Sequence, residues 1–96
     1  MQDKLAEDGW QKFIQLCLQQ KTAKQLNEFF NFFLTIEEKE NLATRYLLVK
    51  ALLEEKKTQR EIARDIRVSI SKITRGSNSL KAISNNLRRF LEKNMC

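Results

Sequence analysis

The basic side chains between Lys56 and Arg89 are the first group in this 96-residue chain whose type and spacing suggest a chemistry. This stretch contains ten lysines and arginines but only two acidic residues, so it carries a net charge of +8. The rest of the chain carries −2, and the total is +6. A basic run is usually only a solvated surface, but concentrated positive charge is also what binding to nucleic-acid phosphates requires.

Arg45 is a second candidate for a functional side chain. It lies in the middle of a segment whose other residues repeat with helical, apolar periodicity. A mid-helix arginine is usually solvated. Among so many apolar neighbours, however, it indicates a ligand or a carboxylate partner.

Catalytic chemistry has little support in the sequence. Without a histidine, the chain lacks the ordinary acid–base group near neutral pH. It contains neither a glycine-rich phosphate loop nor a His, Cys and carboxylate set at metal-ligand spacing. The clustered Glu37, Glu38 and Glu40 are explained by a helix N-terminus, whose dipole favours negative charge. We therefore expect no enzymatic activity and no bound metal.

Composition predicts a single all-α domain. The chain has no proline and only two glycines, so few segments are typical of turns or linkers. Cys17 and Cys96 lie too far apart in sequence to suggest a disulfide framework, and a reducing cytoplasm is the expected location. Cys17 is expected to be a buried thiol. No apolar run is long enough to span a bilayer, so we expect no membrane partner.

Residues 58–82 have the pattern of a helix-turn-helix. Thr58 and Glu61 form a capping-box pattern at the start of the first helix. Ser69 is a suitable N-cap for the second helix, which enters the major groove in proteins of this kind. The expected buried positions are Ile62, Ala63 and Ile66 in the first helix and Ile70 and Ile73 in the second. An ordinary helical hairpin is the alternative on the periodicity alone, and the positive charge of the segment disfavours it. We expect the run from Arg75 to Asn78 to be loop-like.

Helices are also predicted on both sides of this unit. The first covers residues 3 to about 21, with Trp10 on its core face. A long helix runs from Ile36 to about Glu55, opened by a Thr35 and Glu38 capping box. A last helix, roughly residues 85–93, follows Ser84 as its N-cap, and Leu87, Phe90 and Leu91 are expected to be its buried side.

The segment 26–34 is unusually apolar, with four phenylalanines and two leucines in nine positions. These side chains cannot share one stripe of a short helix, so the helix must be surrounded. Because so small a chain offers few elements to surround it, we expect an obligate homodimer with interleaved helices. The alternative is an exposed patch for another partner.

The run Ile73–Ala82, ITRGSNSLKA, closely resembles the signature of the tryptophan repressor family. The pairs Leu34-Thr35 and Thr44-Arg45 and the run Thr58–Glu61 fall at that family's spacing without gaps. The resemblance covers roughly residues 10–91. The Thr-Arg-Gly-Ser-Asn run within the signature is specific, because a generic helix-turn-helix does not need it.

The resemblance implies an all-α fold of about six helices that forms an intertwined homodimer. Residues 1–55 would be a dimerisation core, residues 58–82 a helix-turn-helix DNA-reading head, and residues 84–94 a C-terminal dimerisation helix. It also implies a repressor that binds L-tryptophan as corepressor and then a palindromic operator in double-stranded DNA. The regulated genes would serve tryptophan biosynthesis or uptake.

For the ligand, the resemblance implies an indole ring held between two arginines. Arg75 would stack on one face, and Arg45 would cover the other and approach the carboxylate. Gly76 would let the backbone lie close to the ring, and Ser79 would hydrogen-bond the amino-acid end. Phe32, Leu34 and Thr35 would come from the other chain. The residue types agree with this, because a guanidinium can both stack on an aromatic face and pair with a carboxylate.

For the operator, the resemblance implies contacts from both helices of the reading head. Gln59 and Arg60 would contact the DNA backbone, and Asn78 and Lys81 would flank the phosphates. The residues expected at or near base edges are Ser69, Ile70, Ser71, Lys72 and Thr74.

Four positions depart from the family pattern. Ala63 stands where better-known members carry a lysine, and Lys72 replaces a smaller polar residue. Arg67 replaces the glycine of the turn, which is expected to cost about 1 kcal/mol if the position needs a positive φ. Phe32 stands where leucine is usual. These changes affect the expected operator and affinity more than the expected fold.

Two other functions stay open at this point. A ligand-independent helix-turn-helix regulator would bind its operator equally well with and without amino acid. A helical assembly factor would use the phenylalanine-rich segment to bind a partner protein, and would be a monomer or bind DNA without sequence preference.

Overall fold

The computed structural model describes residues 3–96, and they form six α-helices and no strand. The helices are α1 (Asp3–Leu18), α2 (Ala23–Phe33), α3 (Ile36–Glu54), α4 (Gln59–Ile66), α5 (Ile70–Ala82) and α6 (Asn85–Met95). The predictions of an all-α fold and of about six helices are confirmed. None of these helices is long and apolar enough to cross a membrane.

Side-chain caps set where five of the helices begin. The hydroxyl oxygens of Thr22, Thr35, Thr58, Ser69 and Ser84 each accept a hydrogen bond from the backbone N–H three residues further on, at 3.1 or 3.2 Å. Such a bond satisfies one of the amides that a helix start leaves without a partner. The capping positions predicted at residues 35, 58, 69 and 84 are confirmed, and Thr22 is a further cap that was not predicted.

The helix ends differ from the prediction by a few residues. α1 ends at Leu18 rather than near residue 21, because the amides of Gln19 and Gln20 close tighter turns onto the carbonyls of Leu16 and Cys17. α3 ends one residue earlier than predicted, before Glu55, whose φ is 55°. α6 extends two residues beyond the predicted position 93.

The expected loop at Arg75–Asn78 is wrong, because α5 passes through these residues without interruption. Gly76 does not adopt a positive φ, and its lack of a side chain serves packing instead. A Cβ atom built on Gly76 would lie 2.5 Å from Cδ2 of Leu48 in α3. Packing against α3 therefore explains why a glycine is tolerated within this helix.

The turn between α4 and α5 requires left-handed backbone at Arg67. This residue has φ 62° and ψ 47°, and its N–H donates to the carbonyl of Ala63. The next amide, from Val68, donates to the same carbonyl at 3.0 Å. A non-glycine residue in this conformation costs about 1 kcal/mol, so the strain expected from the substituted glycine is present.

The chain divides into two compact units, one up to Lys39 and one of Glu40–Cys96. In the first unit, Phe13 contacts the rings of Trp10, Phe29, Phe30 and Phe33, with centroids 5.3 to 6.2 Å apart. No described residue of this unit is buried. Trp10 is 59% exposed, so its expected place in a core is wrong for the single chain. Cys17 is only partly buried.

The second unit contains the buried core. Its members come from α3, α4 and α5, and they are Leu48, Ile62, Ala63 and Ile73. Leu80 of α5 is also buried. The predicted core positions 62, 63 and 73 are confirmed, and Ile66 packs against them partly buried.

Two predictions about buried residues of the second unit are wrong for the single chain. Ile70, the first residue of α5, is 48% exposed. On α6, Leu87 and Phe90 are exposed and only Leu91 is partly buried. Periodicity identified the apolar face of α6 correctly, but no described element covers most of it.

Candidate ligand cavity and nucleic-acid interface

The second unit contains a cavity of about 590 Å³, lined mainly by residues of α3 and α5. Its apolar wall consists of Leu48, Val49, Val68, Leu80, Ile83 and Leu91. This volume lies within the usual range for small-molecule sites, which are about 300–1,000 Å³ and mostly apolar with a few polar groups.

The α3 side of the cavity carries Asn41, Thr44 and Arg45 above Leu48. These residues stand at positions i, i+3, i+4 and i+7, so one face of the helix presents them together. Of these residues, only Arg45 is predicted from the sequence as a ligand residue; Asn41 and Thr44 are not. Their spacing from Arg45 on a helix could have revealed them.

The α5 side of the cavity carries Lys72, Arg75, Gly76 and Ser79. The structure therefore gathers Arg45, Arg75, Gly76 and Ser79, the four ligand residues expected from one chain, around a single space. Their roles toward a ligand stay predictions. Gly76 also has a reason to be glycine without any ligand, namely its contact with Leu48.

The cavity carries positive charge without a carboxylate to balance it. Arg45, Lys72 and Arg75 are in its wall, and no acidic side chain of residues 3–96 lines it. None of the three cationic groups makes an ion pair or donates a side-chain hydrogen bond within the described part of the chain. Such a wall favours a ligand with an anionic group and an apolar body.

The other three expected ligand residues lie in the first unit and are not among those that line the cavity. Phe32 is 82% exposed. Leu34 is the C-cap of α2. Thr35 caps α3, where its N–H donates to a Glu38 carboxylate oxygen at 2.8 Å. Their contribution from a partner chain stays a prediction.

All nine residues expected to contact DNA are exposed. The Thr74 hydroxyl donates to the carbonyl of Ile70 at 3.1 Å. The same hydroxyl lies 3.5 Å from Oε1 of Gln59, so the side chains of these two expected DNA residues meet between the helices. Ser69 uses its hydroxyl oxygen as the cap of α5. Lys72 is the one DNA residue of the nine that also lines the cavity.

The two acidic residues of the reading head are each occupied by local partners. Glu61 accepts hydrogen bonds from the N–H and the hydroxyl of Thr58, which lower the pKa of its carboxyl group. Asp65 accepts from Nζ of Lys57 at 2.6 Å and from Nε of Arg64 at 3.3 Å. The Lys57 bond is the main cause of a lowered pKa at Asp65; desolvation opposes it, and the Arg64 bond adds a smaller lowering. Both carboxylates therefore stay ionised while their charge is satisfied within the head.

Residues 3–96 combine six helices, a basic pair of helices α4 and α5, and a cationic cavity between α3 and α5, an arrangement that fits a DNA-binding regulator. Residues 8–95 match the sequence profile of the family described as Trp repressor protein. The chain belongs to the Trp repressor family, a family of DNA-binding regulators rather than of enzymes.

Three relatives illustrate the similarity, and each is called a Trp operon repressor homolog. The protein from Chlamydia caviae is 51% identical over 86 residues, which cover 90% of this chain and 85% of the relative. That from Chlamydia trachomatis serovar D is 46% identical over 87 residues, covering 91% and 93%. A protein from Haemophilus influenzae strain PittEE is 27% identical over 88 residues, covering 92% and 87%.

Proposed function

We propose that this protein is a transcriptional repressor that L-tryptophan activates as corepressor for binding to operator DNA. The observation that carries the proposal is the meeting of Arg45 and Arg75, from two different helices, in one cavity with Gly76 and Ser79. The regulated genes would serve tryptophan biosynthesis or uptake, in keeping with the names of the relatives.

The chemistry of the cavity suits a zwitterionic aromatic amino acid. The planar guanidinium groups of Arg45 and Arg75 can stack on an indole ring or pair with the carboxylate of the amino acid. The apolar wall from Leu48 to Leu91 provides the surface that excludes water from the ring. Ser79 offers a hydroxyl for either polar group of the ligand.

The reading head provides the surface for DNA. Its exposed lysines and arginines give it the positive charge that phosphates attract, and both of its carboxylates are already satisfied. In a helix-turn-helix, the first turn of the second helix reaches the base edges. That turn here begins at Ser69 and includes Ile70, Ser71 and Lys72. A homodimer would carry two such heads and match a palindromic operator.

Coupling between ligand and DNA follows from the shared helix α5. Its residues Arg75 and Ser79 line the cavity, while Ser71 and Thr74 face solvent. A ligand can shift the protein toward the DNA-binding state only by the difference in its affinity for the two states. Tryptophan held between α3 and α5 would favour one position of α5, and operator DNA would in turn raise the affinity for tryptophan.

The test has two measurements. Isothermal titration calorimetry should give one L-tryptophan per chain, with little heat from L-phenylalanine. Operator fragments selected from random DNA by the tryptophan-bound protein should then bind more weakly when tryptophan is removed. Selected DNA that binds equally well without the amino acid would replace the proposal by the ligand-independent regulator. Binding without sequence preference would favour the assembly factor.

The substitution Arg75→Ala should separate ligand binding from stability. Arg75 is exposed and makes no ion pair among the described residues, so the loss of unfolding free energy should stay within about 0.5 kcal/mol. Tryptophan affinity should fall by about tenfold or more, because a stacking and charge-assisted contact disappears. Calorimetry and urea unfolding measure the two effects. The control Arg89→Ala removes the same charge from α6, outside the cavity, and equal losses of affinity in both variants would contradict the assignment.

A further inference from the structure

Lys72 is the residue whose place in the structure adds something to the proposed function. The resemblance to the tryptophan repressor family implies that it lies at or near the base edges of the operator. The structure makes it part of the cavity wall, together with Arg45 and Arg75. The cavity wall therefore contains a third cation, for which the other lining residues provide no anionic partner.

The backbone of Lys72 is held in place at the start of α5. Its N–H donates to the hydroxyl oxygen of Ser69 at 3.2 Å. Its ammonium group has no carboxylate partner among residues 3–96, whereas Lys57 in the same unit is paired with Asp65. The backbone of Lys72 is therefore held at the start of α5, while its ammonium group makes no ion pair among the described residues. The dipole at this helix N-terminus also favours an anion.

The three cations of the cavity are not equivalent in chemistry. A guanidinium is planar and weakly hydrated, so Arg45 and Arg75 suit the faces of an aromatic ring. The ammonium of Lys72 is a compact point charge with three donors, which cannot stack in this way and suits a carboxylate. With no acidic residue of the described chain in the wall, an anionic group of the ligand is the partner that these charges lack.

We propose that Lys72 binds the carboxylate of the ligand and thereby sets its class: aromatic compounds that carry a carboxylate, and not the corresponding amines. This inference rests on the proposed function of the cavity and adds a specificity-determining residue to it. The three positive charges disfavour a ligand whose only charged group is an ammonium. Lys72 is thus a ligand residue on the helix that reads DNA.

The test uses calorimetry on the full chain without DNA, so that any contact of Lys72 with phosphates does not enter. L-tryptophan and tryptamine, which lacks the carboxylate, are titrated into the wild type and into Lys72→Met, Lys72→Arg and Lys72→Glu. The matched control Lys93→Met removes a lysine from α6, outside the cavity. Thermal unfolding of each variant shows that it is folded.

The expected result is a loss of about tenfold in L-tryptophan affinity for Lys72→Met. Lys72→Arg should keep most of the wild-type affinity, and Lys93→Met all of it. The ratio of the affinity for L-tryptophan to that for tryptamine should fall about tenfold in Lys72→Met. It should fall further in Lys72→Glu, because the new negative charge attracts the amine.

Two results would overturn the inference while leaving the proposed function intact. One is wild-type affinity of Lys72→Met for L-tryptophan. The other is an equal loss for L-tryptophan and tryptamine, which would indicate a merely structural role. If the wild type itself bound no L-tryptophan, the proposed function would fail and the inference with it.

Discussion

Several single residues in this protein have two roles each, and the sequence pattern predicts only one of them. Lys72 belongs by sequence to the DNA-reading helix and by structure to the cavity wall. Gly76 lies beside the expected ligand and also beneath Leu48. Arg67 carries positive charge in the reading head and at the same time holds a left-handed turn. At this scale, charge and backbone conformation have to be tested by separate substitutions.

The strain at Arg67 predicts a gain in stability from Arg67→Gly. Glycine adopts a φ of 62° without the penalty that a Cβ atom introduces, and about 1 kcal/mol should be recovered, less the greater entropy of glycine in the unfolded chain. Urea unfolding measures the difference. Arg67→Ala is the control, because it removes the charge but keeps the Cβ atom. An equal gain in both variants would show that charge repulsion, and not backbone strain, destabilises the turn.

At the scale of the helices, local hydrogen bonds fix the starts of five of them, and the contact between Leu48 and Gly76 brings α3 and α5 close together. Capping explains the boundaries, because each cap involves residues only three apart in sequence. The contact between Leu48 and Gly76 is of another kind, since it joins two helices separated by the whole of α4. Substitutions at the helix caps and at the contact between Leu48 and Gly76 should therefore change stability in different ways.

The contact at Gly76 predicts that Gly76→Ala destabilises the protein by about 1 kcal/mol. Alanine gains about 1 kcal/mol in helix propensity, but a Cβ atom 2.5 Å from the buried Leu48 forces overpacking that costs about 1–3 kcal/mol. Gly9→Ala in α1 is the matched control, because no atom lies within 4 Å of its Cβ position. Thermal unfolding should show opposite signs for the two variants, and a gain at both positions would contradict the close packing.

The capping box of α4 predicts a specific dependence on pH. Hydrogen bonds from Thr58 lower the pKa of Glu61 below its ordinary value of 4.5. A lowered pKa stabilises the folded state at every pH above the ordinary pKa of the group. This stabilisation disappears as the pH falls through the lower pKa of the folded state. Stability measured by urea unfolding should therefore fall less between pH 6 and pH 3 in Glu61→Gln than in the wild type.

The control for this experiment is Glu37→Gln, a change in the first turn of α3 at a glutamate that makes no side-chain hydrogen bond in the described structure. It has the same favourable position in a helix dipole but no capping bonds. The pH dependence of this variant should stay close to that of the wild type. An equal change in both variants would attribute the effect to the dipole instead of the cap.

At the scale of the whole molecule, many large apolar side chains of the described residues are exposed in the single chain. Only five described hydrophobic residues are buried, and all of them lie in the second unit. The aromatic cluster of the first unit leaves Phe32 82% exposed and Trp10 59% exposed. Large apolar side chains exposed side by side indicate an interaction surface, and the homodimer is our prediction for what covers it.

The dimer prediction is tested by Phe32→Glu. The wild type should have an apparent mass of twice the 11.4 kDa chain. In Phe32→Glu, a charge at an exposed aromatic position should weaken association and lower that mass. Asn27→Glu on the same helix is the control, because it adds the same charge at an exposed polar position. Sedimentation velocity across a concentration series measures both. Unchanged association of Phe32→Glu would move the interface away from α2.

Local chemistry made several features predictable before the structure. The capping residues Thr35, Thr58, Ser69 and Ser84 were identified because their hydrogen bonds span three residues. The all-α class followed from the scarcity of glycine and proline, and the family from the run Ile73–Ala82.

Contacts between residues far apart in sequence decided the features that were not predictable: the continuity of α5, the exposure of several apolar side chains and the place of Lys72. The continuity of α5 through Gly76 depends on Leu48, which lies 28 positions earlier, and no local pattern reports that contact. The exposure of Ile70, Leu87 and Phe90 depends on which helices stand opposite them, whereas periodicity reports only which side chains share a face. The placing of Lys72 in the cavity has the same cause, because a helix face becomes the wall of a site only when another helix closes it.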